Sequence, residues 1–249
     1  AGKDNVFQVC FTDPNQGITA ANYIKDNTRG PKVAVIYNNG DAYSTGIAQG
    51  FISQAAEVGL EVVAEQTFPD DTNTDFTVQL NAAKDGGAEL VFMPIYYPPA
   101  SLILNQAKSM GYEPTFMGGD GFGSVKNYAS ADDLEGSVYC SGYAPGTDSV
   151  KQFEEDYKAA YNVDEIPNMF APLAYDAAML LCEGLKAAEA QGLTAGTDEY
   201  KQAVIDAIKT MDGTEGITGS YAFDEFNNPI KPVAIIELTG GNEVYQEMF

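Results

Sequence analysis

Three short apolar runs, each opening into a loop of Gly, Tyr, Asn, Asp or Pro, constrain this chain more than any other feature. Val33–Tyr37 runs into Asn38-Asn-Gly-Asp-Ala-Tyr-Ser-Thr-Gly46, Leu90–Met93 into Pro94-Ile-Tyr-Tyr-Pro-Pro99, and Thr115–Met117 into Gly118-Gly-Asp-Gly-Phe-Gly123. A strand buried on both faces is a continuous apolar run. Helical spacing separates successive runs, so the unit is βα repeated and the expected sheet is parallel. Ligands of such sheets bind beyond the carboxyl ends of the strands. Tyr43, Tyr96 and Asp120 fall there.

The remaining elements follow from periodicity and punctuation. Val6–Thr12 alternates like a strand ended by Asp13-Pro-Asn-Gln-Gly17, and a helix is expected to follow through about Lys25, with Ala20, Ala21 and Ile24 inward. Gly46–Val58 is expected helical, stopped by Gly59. Glu61–Thr67 reads as a strand. Thr74 reads as the N-cap of a helix carrying Phe76, Leu80 and Ala83. A helix from about Ala100 to Met110 and a strand at Gly136–Ser141 complete this part. Then the pattern changes. Ser149–Tyr161, Met169–Glu189 and Asp198–Met211 are three expected helices with little strand between them. A β tail follows, with Gly219–Phe223 and Val233–Leu238 flanking a turn at 224–229. Those three helices are amphipathic and need a sheet or a partner to cover.

Composition removes several classes of function. Thirteen Lys and Arg against 36 Asp and Glu give a formal net charge of −23, which argues against nucleic acid and anionic membrane as partners. The chain has no histidine, so Ser-His-Asp and Cys-His nucleophile pairs and histidine-ligated zinc are excluded. Cys10, Cys140 and Cys182 lie far apart, form no CxxC, and read as small buried hydrophobes. A Cys10–Cys140 bridge stays open. No run approaches the ~18 apolar residues of a membrane span, and the early expected strand reads like the start of a mature or shortened chain, so the N-terminus does not tell the compartment.

Three motifs fail on inspection. Ala42-Tyr-Ser-Thr-Gly46 is like a nucleophile elbow but has no histidine to serve it, and Ser44 or Thr45 as a helix cap is the simpler account. Asp71-Thr-Asn-Thr-Asp75 has the rhythm of a calcium loop, yet Phe76 and Ala82 stand where glycine and glutamate belong. Gly118–Gly123 lacks dinucleotide spacing. Two readings of that loop stay open: glycines chosen for positive φ, or a bare backbone that lets a ligand cation approach Asp120. No metal or cofactor is indicated.

Several stretches together resemble a known family: Phe11-Thr-Asp-Pro-Asn-Gln-Gly17, Val33–Tyr43, Asp75-Phe-Thr77, Phe116-Met-Gly-Gly-Asp120, Ala174-Tyr-Asp-Ala177, Gly219–Glu225 and Asn228-Pro229. In this order and spacing they are similar to the type I periplasmic solute-binding proteins of ABC transporters, in the Leu/Ile/Val branch. The resemblance implies an α/β fold of two Rossmann-like lobes that close on an amino acid. Residues 14–142 with 226–249 would form lobe 2. Residues 1–13 with 143–225 would form a lobe 1 lacking its first half, which accounts for the uncovered helices and implies weak binding and self-association. It further implies an extracytoplasmic solute receptor, periplasmic or lipid-anchored, with ABC permease subunits as partners and no enzymatic activity. Asp120 would hold the ligand's α-ammonium, with Tyr43, Tyr96, Tyr97, Gly119 and Phe122 around it. A sensory module of the same fold, or an α/β enzyme with Asp120 as base, are the alternatives.

Overall fold

The structure is a computed structural model that describes residues 3–27, 30–70 and 72–249. In chain order the elements are α1 (Asp13–Asp26), β1 (Lys32–Asn38), α2 (Ala42–Val58), β2 (Glu61–Phe68), α3 (Thr77–Asp85), β3 (Leu90–Met93), α4 (Tyr97–Ser109), β4 (Thr115–Gly118), α5 (Ala131–Leu134), β5 (Val138–Ser141), α6 (Asp148–Tyr161), α7 (Phe170–Ala190), α8 (Asp198–Lys209), β6 (Thr214–Gly216), β7 (Gly219–Tyr221), β8 (Ala234–Thr239) and β9 (Asn242–Met248). By chain contacts these divide into two compact units. One comprises Thr12–Ser141 with Val233–Phe249, the other Ala1–Phe11 with Gly142–Pro232.

In the first unit the described strands form one sheet in the order β2-β1-β3-β4-β5-β8-β9. The first five are parallel, and β8 and β9 add antiparallel. The three apolar runs are therefore neighbours, and Val33–Ile36 and Leu90–Met93 are wholly buried. β9 was not expected. Its burial alternates along a mostly polar segment, as an edge strand's does, and Gly240 and Gly241 at φ 57° and 80° make the tight reversal before it. The Asp71–Asp75 stretch begins at a residue outside those described.

Local chemistry explains the helix starts. Thr12 accepts from Asn15 N, and Pro14 sits in the first turn of α1, where a missing N–H costs nothing. Asp41 starts α2 by accepting from Tyr43 N and Ser44 N, a turn earlier than the expected Gly46. Ser44 is not the cap. Its hydroxyl donates to Pro94 O at 2.6 Å and accepts from Asn38 N at 2.9 Å, tying the ends of β1 and β3 together. Thr74 does not cap α3 either, and Asp75 Oδ1 accepts from Thr77 N instead.

Helices α1 and α2 meet backbone to backbone. A Cβ on Gly17 would collide with the Ile47 carbonyl oxygen and stand 2.6 Å from Phe51 N, and one on Gly50 would stand 2.5 Å from Pro14 O. Ala20, Ala21 and Ile24 face inward here, as their spacing predicts. Gly17→Ala should destabilise this unit by about 1–3 kcal/mol through overpacking. Urea denaturation checks it, and unchanged stability would mean that the helices are not held this close.

The second unit contains α6, α7, α8 and the β6–β7 ribbon. The expected strand at Val6–Thr12 does not form among the described residues. The segment is instead held by Asn227, whose Nδ2 donates to the carbonyls of Lys3, Asp4 and Val6. One core cluster joins Tyr143, Val150, Met169 and Leu173. Another joins Ala188, Tyr200, Val204 and Ile208, where Gly184 leaves room for Ile208. Part of the expected apolar surface is thus covered by helix packing. Ala174, Tyr175, Ala178, Leu181 and Cys182 on α7 remain exposed. No disulfide joins Cys10, Cys140 or Cys182, so the Cys10–Cys140 bridge does not form, and of the three only Cys140 is buried.

Asp176, wholly buried, accepts from Ile217 N, Thr218 N, Thr218 Oγ1 and Tyr221 Oη. Lys231 Nζ donates to the same two hydroxyls at 2.8 and 3.2 Å. Burial lowers the Lys231 pKa to about 8, against the opposing pull of Asp176. An unfolded lysine titrates near 10.4, so between these values the unfolded chain binds more protons and stability rises with pH. Denaturation of wild type and Lys231→Met from pH 7 to 10.5 should show that rise in the wild type and its loss in the variant. Parallel profiles would remove Lys231 as its source.

Candidate functional site

The loops after β1, β3 and β4 deliver Tyr43, Tyr96 and Asp120 to one place. Tyr43 lies in the first turn of α2, Tyr96 precedes α4, and Asp120 opens a short 3-10 turn after β4. The Tyr43 hydroxyl donates to Asp120 Oδ1 at 2.6 Å and accepts from Gly121 N at 2.8 Å. Its ring stacks on Tyr96 with centroids 4.9 Å apart. Tyr96 remains 40% exposed beside the carboxylate.

The glycines of this loop serve close approach. None of Gly118, Gly119, Gly121 and Gly123 has positive φ, and the left-handed position falls on Ser124 at φ 74°. A Cβ on Gly119 would stand 2.5 Å from Gln16 Oε1, and one on Gly121 would stand 2.7 Å from the Tyr43 hydroxyl and 3.1 Å from the Tyr96 ring. The bare backbone thus admits the neighbouring side chains that build the site.

Two expected members stand elsewhere. Phe122 is fully buried, its ring 6.1 Å from that of Tyr139 and its side chain filling the space beside Gly118. An aromatic next to Asp120 reads from sequence as a ligand wall, but the turn directs it into the core. Tyr97 stacks on Tyr128 with centroids 4.6 Å apart.

Sequence reasoning missed Gln16. It is wholly buried, and its Oε1 accepts from Asp120 N at 2.5 Å, while its amide lies close enough to the Asp120 carboxyl to favour the charged form. Its signal was the Asp13–Gln16 spacing of one helical turn, hidden because Asp13–Gly17 read as the end of a strand. Asp13 and Asp41 were also missed. Burial pushes the Asp120 carboxyl above the usual carboxylate range, against hydrogen bonds from Tyr43, Gln16 and Gly121 N–H that favour its charged form. Burial, and then the charge of Asp120, hold the Tyr43 hydroxyl protonated far beyond neutrality. Burial first, then Asp120 and Asp41, raise Asp13. A desolvated carboxylate with a hydroxyl and backbone around it suits a cation with hydrogen-bonding protons, such as an ammonium. Among the described residues, no cluster of three His, Cys, Asp or Glu is placed to hold a metal ion.

The family model described as periplasmic binding protein matches residues 1–242. A Leu/Ile/Val-binding protein homologue of Brucella melitensis is 26% identical over 235 residues, covering 93% of this chain and 60% of its own length. The Leu/Ile/Val-binding protein BraC3 of Rhizobium johnstonii is 29% identical over 86% of this chain and 55% of its own. The chain thus spans little more than half the length of these curated relatives. Among solved structures, the substrate-binding protein LivJ of a branched-chain amino acid transporter from Streptococcus pneumoniae, in complex with isoleucine, matches with TM-score 0.84 and 30% identity over all of this chain and 68% of its own. The leucine-binding protein LivK of Thermotoga maritima matches with TM-score 0.86 and 26% identity over all of this chain and 69% of its own. The chain belongs to the type I periplasmic binding proteins, in the Leu/Ile/Val-binding branch. That family is one of solute-binding proteins and not of enzymes. No described helix is long and apolar enough to cross a membrane.

A raised Asp120 pKa has a consequence for stability. The ionised carboxyl costs folding energy above its folded pKa, and the cost vanishes as pH falls towards the unfolded value of about 3.9. Asp120→Asn should therefore be more stable than wild type at pH 7, with a difference that shrinks on acidification. Urea midpoints at pH 4 and 7 check this, and a variant less stable at pH 7 would show that the carboxylate is repaid within the fold.

Proposed function

We propose that this protein is the solute-binding component of an ABC importer and holds an amino acid by its α-ammonium at Asp120. The observation that carries this is the Asp120 carboxylate itself: desolvated, oriented by the Tyr43 hydroxyl, and flanked by the Tyr43–Tyr96 stack. An ammonium supplies the charge that a desolvated carboxylate lacks, and an aromatic face adds a favourable quadrupole. Gly119 and Tyr43 shape the backbone and hydroxyl around it, and Tyr97 contributes only through its stack on Tyr128. The Leu/Ile/Val-binding relatives support this class of ligand. The unit Thr12–Ser141 with Val233–Phe249 is the ligand-holding lobe on this view. The protein works outside the cytoplasmic membrane and hands its ligand to permease subunits.

A charge-assisted hydrogen bond is worth roughly 1.5–3 kcal/mol. In the protein at its full natural length, Asp120→Asn should weaken amino-acid binding by about tenfold or more. Calorimetry measures it, and an unchanged dissociation constant would take Asp120 out of the site.

A further inference from the structure

Gln16 is a costly residue for the place it occupies. It stands in the first turns of α1, its backbone N–H bonded to Thr12 O, and its side chain is wholly buried. A methionine of similar length would fill that place without burying an amide, and a polar group taken from water needs hydrogen bonds in return. The helix has its cap in Thr12 and its close contact with α2 at Gly17. The Gln16 carboxamide is turned instead to the loop after β4.

There it meets Asp120 twice. Its Oε1 accepts from Asp120 N at 2.5 Å, and its amide lies close enough to the Asp120 carboxyl to favour the charged form. A carboxamide has an acceptor and a donor side by side, the counterpart of a backbone N–H and a carboxylate on one residue. The loop leaves room for this approach, since a Cβ on Gly119 would stand 2.5 Å from Gln16 Oε1. From α2, the Tyr43 hydroxyl bonds the same carboxylate and Gly121 N. Asp120 is thus held from two helices, and Gly17 and Gly50 let those helices meet.

Resting on the assignment of an ammonium to Asp120, we infer that Gln16 is the positioning residue of the ligand site: without touching the ligand, its carboxamide fixes the Asp120 backbone and favours the ionised carboxyl that the ammonium meets. The other ionisable groups that bear on Asp120 are Asp13 on α1, the Tyr43 hydroxyl on α2 and the Cys140 thiol on β5. Burial keeps the hydroxyl and the thiol protonated through the acid range. Asp13, with Asp41 acting on it in turn, is a like charge that opposes ionisation of Asp120. Against burial and that charge stand the Tyr43 hydroxyl, backbone N–H groups and the Gln16 amide.

The first step of the test needs no ligand. NMR on the protein at its full natural length, labelled at the aspartate carboxyl carbons, follows Asp120 with pH, its resonance assigned by its loss in Asp120→Asn. In the wild type the Gln16 side-chain amide resonances should shift with the same midpoint as that carboxyl, and an amide indifferent to it overturns the inference without any variant. In Gln16→Met the Asp120 carboxyl should titrate at higher pH than in the wild type. An unmoved titration means that Gln16 only fills space, and it overturns the inference whatever the affinity does. The second step is calorimetry from pH 4 to 8 with L-leucine, L-isoleucine and L-valine. An ammonium needs the ionised carboxylate, so affinity should fall as pH drops through the Asp120 titration, and in Gln16→Met that fall should begin at higher pH. If the carboxyl titration moves and no affinity follows it, the ammonium assignment falls and the role of Gln16 in binding with it, while its hold on Asp120 stands.

Discussion

The close approach of α1 and α2 sets the geometry on which the site depends. Gly17 and Gly50 leave no side chain between the two helices, so backbone atoms meet where Cβ atoms would not fit. That approach puts Gln16 against the Asp120 loop and Asp13 against the start of α2. The parallel sheet does the rest. Strands β1, β3 and β4 are adjacent, so the segments that follow them open at one edge. Ser44 then ties the end of β1 to Pro94 after β3, which holds Tyr43 and Tyr96 within stacking distance.

Asp176, wholly buried, and Asp120, partly buried, are satisfied in different ways. Asp176 receives two backbone N–H groups and two hydroxyls, so its acceptor capacity is spent within its own unit. A buried charge satisfied in this way holds the β6–β7 ribbon to α7. Asp120 has the Tyr43 hydroxyl, the Gln16 side chain and backbone N–H of its own glycine loop around it. Its desolvation outweighs the bonds that favour ionisation. A carboxyl whose desolvation outweighs its hydrogen bonds, beside a partly exposed tyrosine, is what supports the proposed ammonium site.

Much of the first unit was legible because both-sided burial writes itself as unbroken apolar runs. Val33–Ile36 and Leu90–Met93 admit no other neighbours than a sheet with helices on both faces. The misread elements share a different property. Val6–Thr12 alternates like a strand, but Asn227 meets its start, donating to Val6 O and accepting from Gln8 N. β9 is polar because an edge strand hides only one face, and that pattern is hard to tell from a solvated tail. Thr74 and Ser44 have the chemistry of caps, yet Asp75 and Asp41 take the role because their carboxylates reach the free N–H groups.

By itself the sequence determined the repeated βα order, the absence of histidine chemistry, the glycine-bounded helix ends, and the three loops that carry Tyr43, Tyr96 and Asp120. These are local properties, written in spacing and residue type. Only the tertiary structure decided that Phe122 turns into the core, that Tyr97 pairs with Tyr128, that the loop glycines serve close approach rather than positive φ, and that Gln16 meets the Asp120 loop. Each of these depends on which distant backbone comes within a few ångströms. Gln16 and Asp120 are separated by 104 positions, and no periodicity spans such a distance. Only the packing of one helix on another brings the two together.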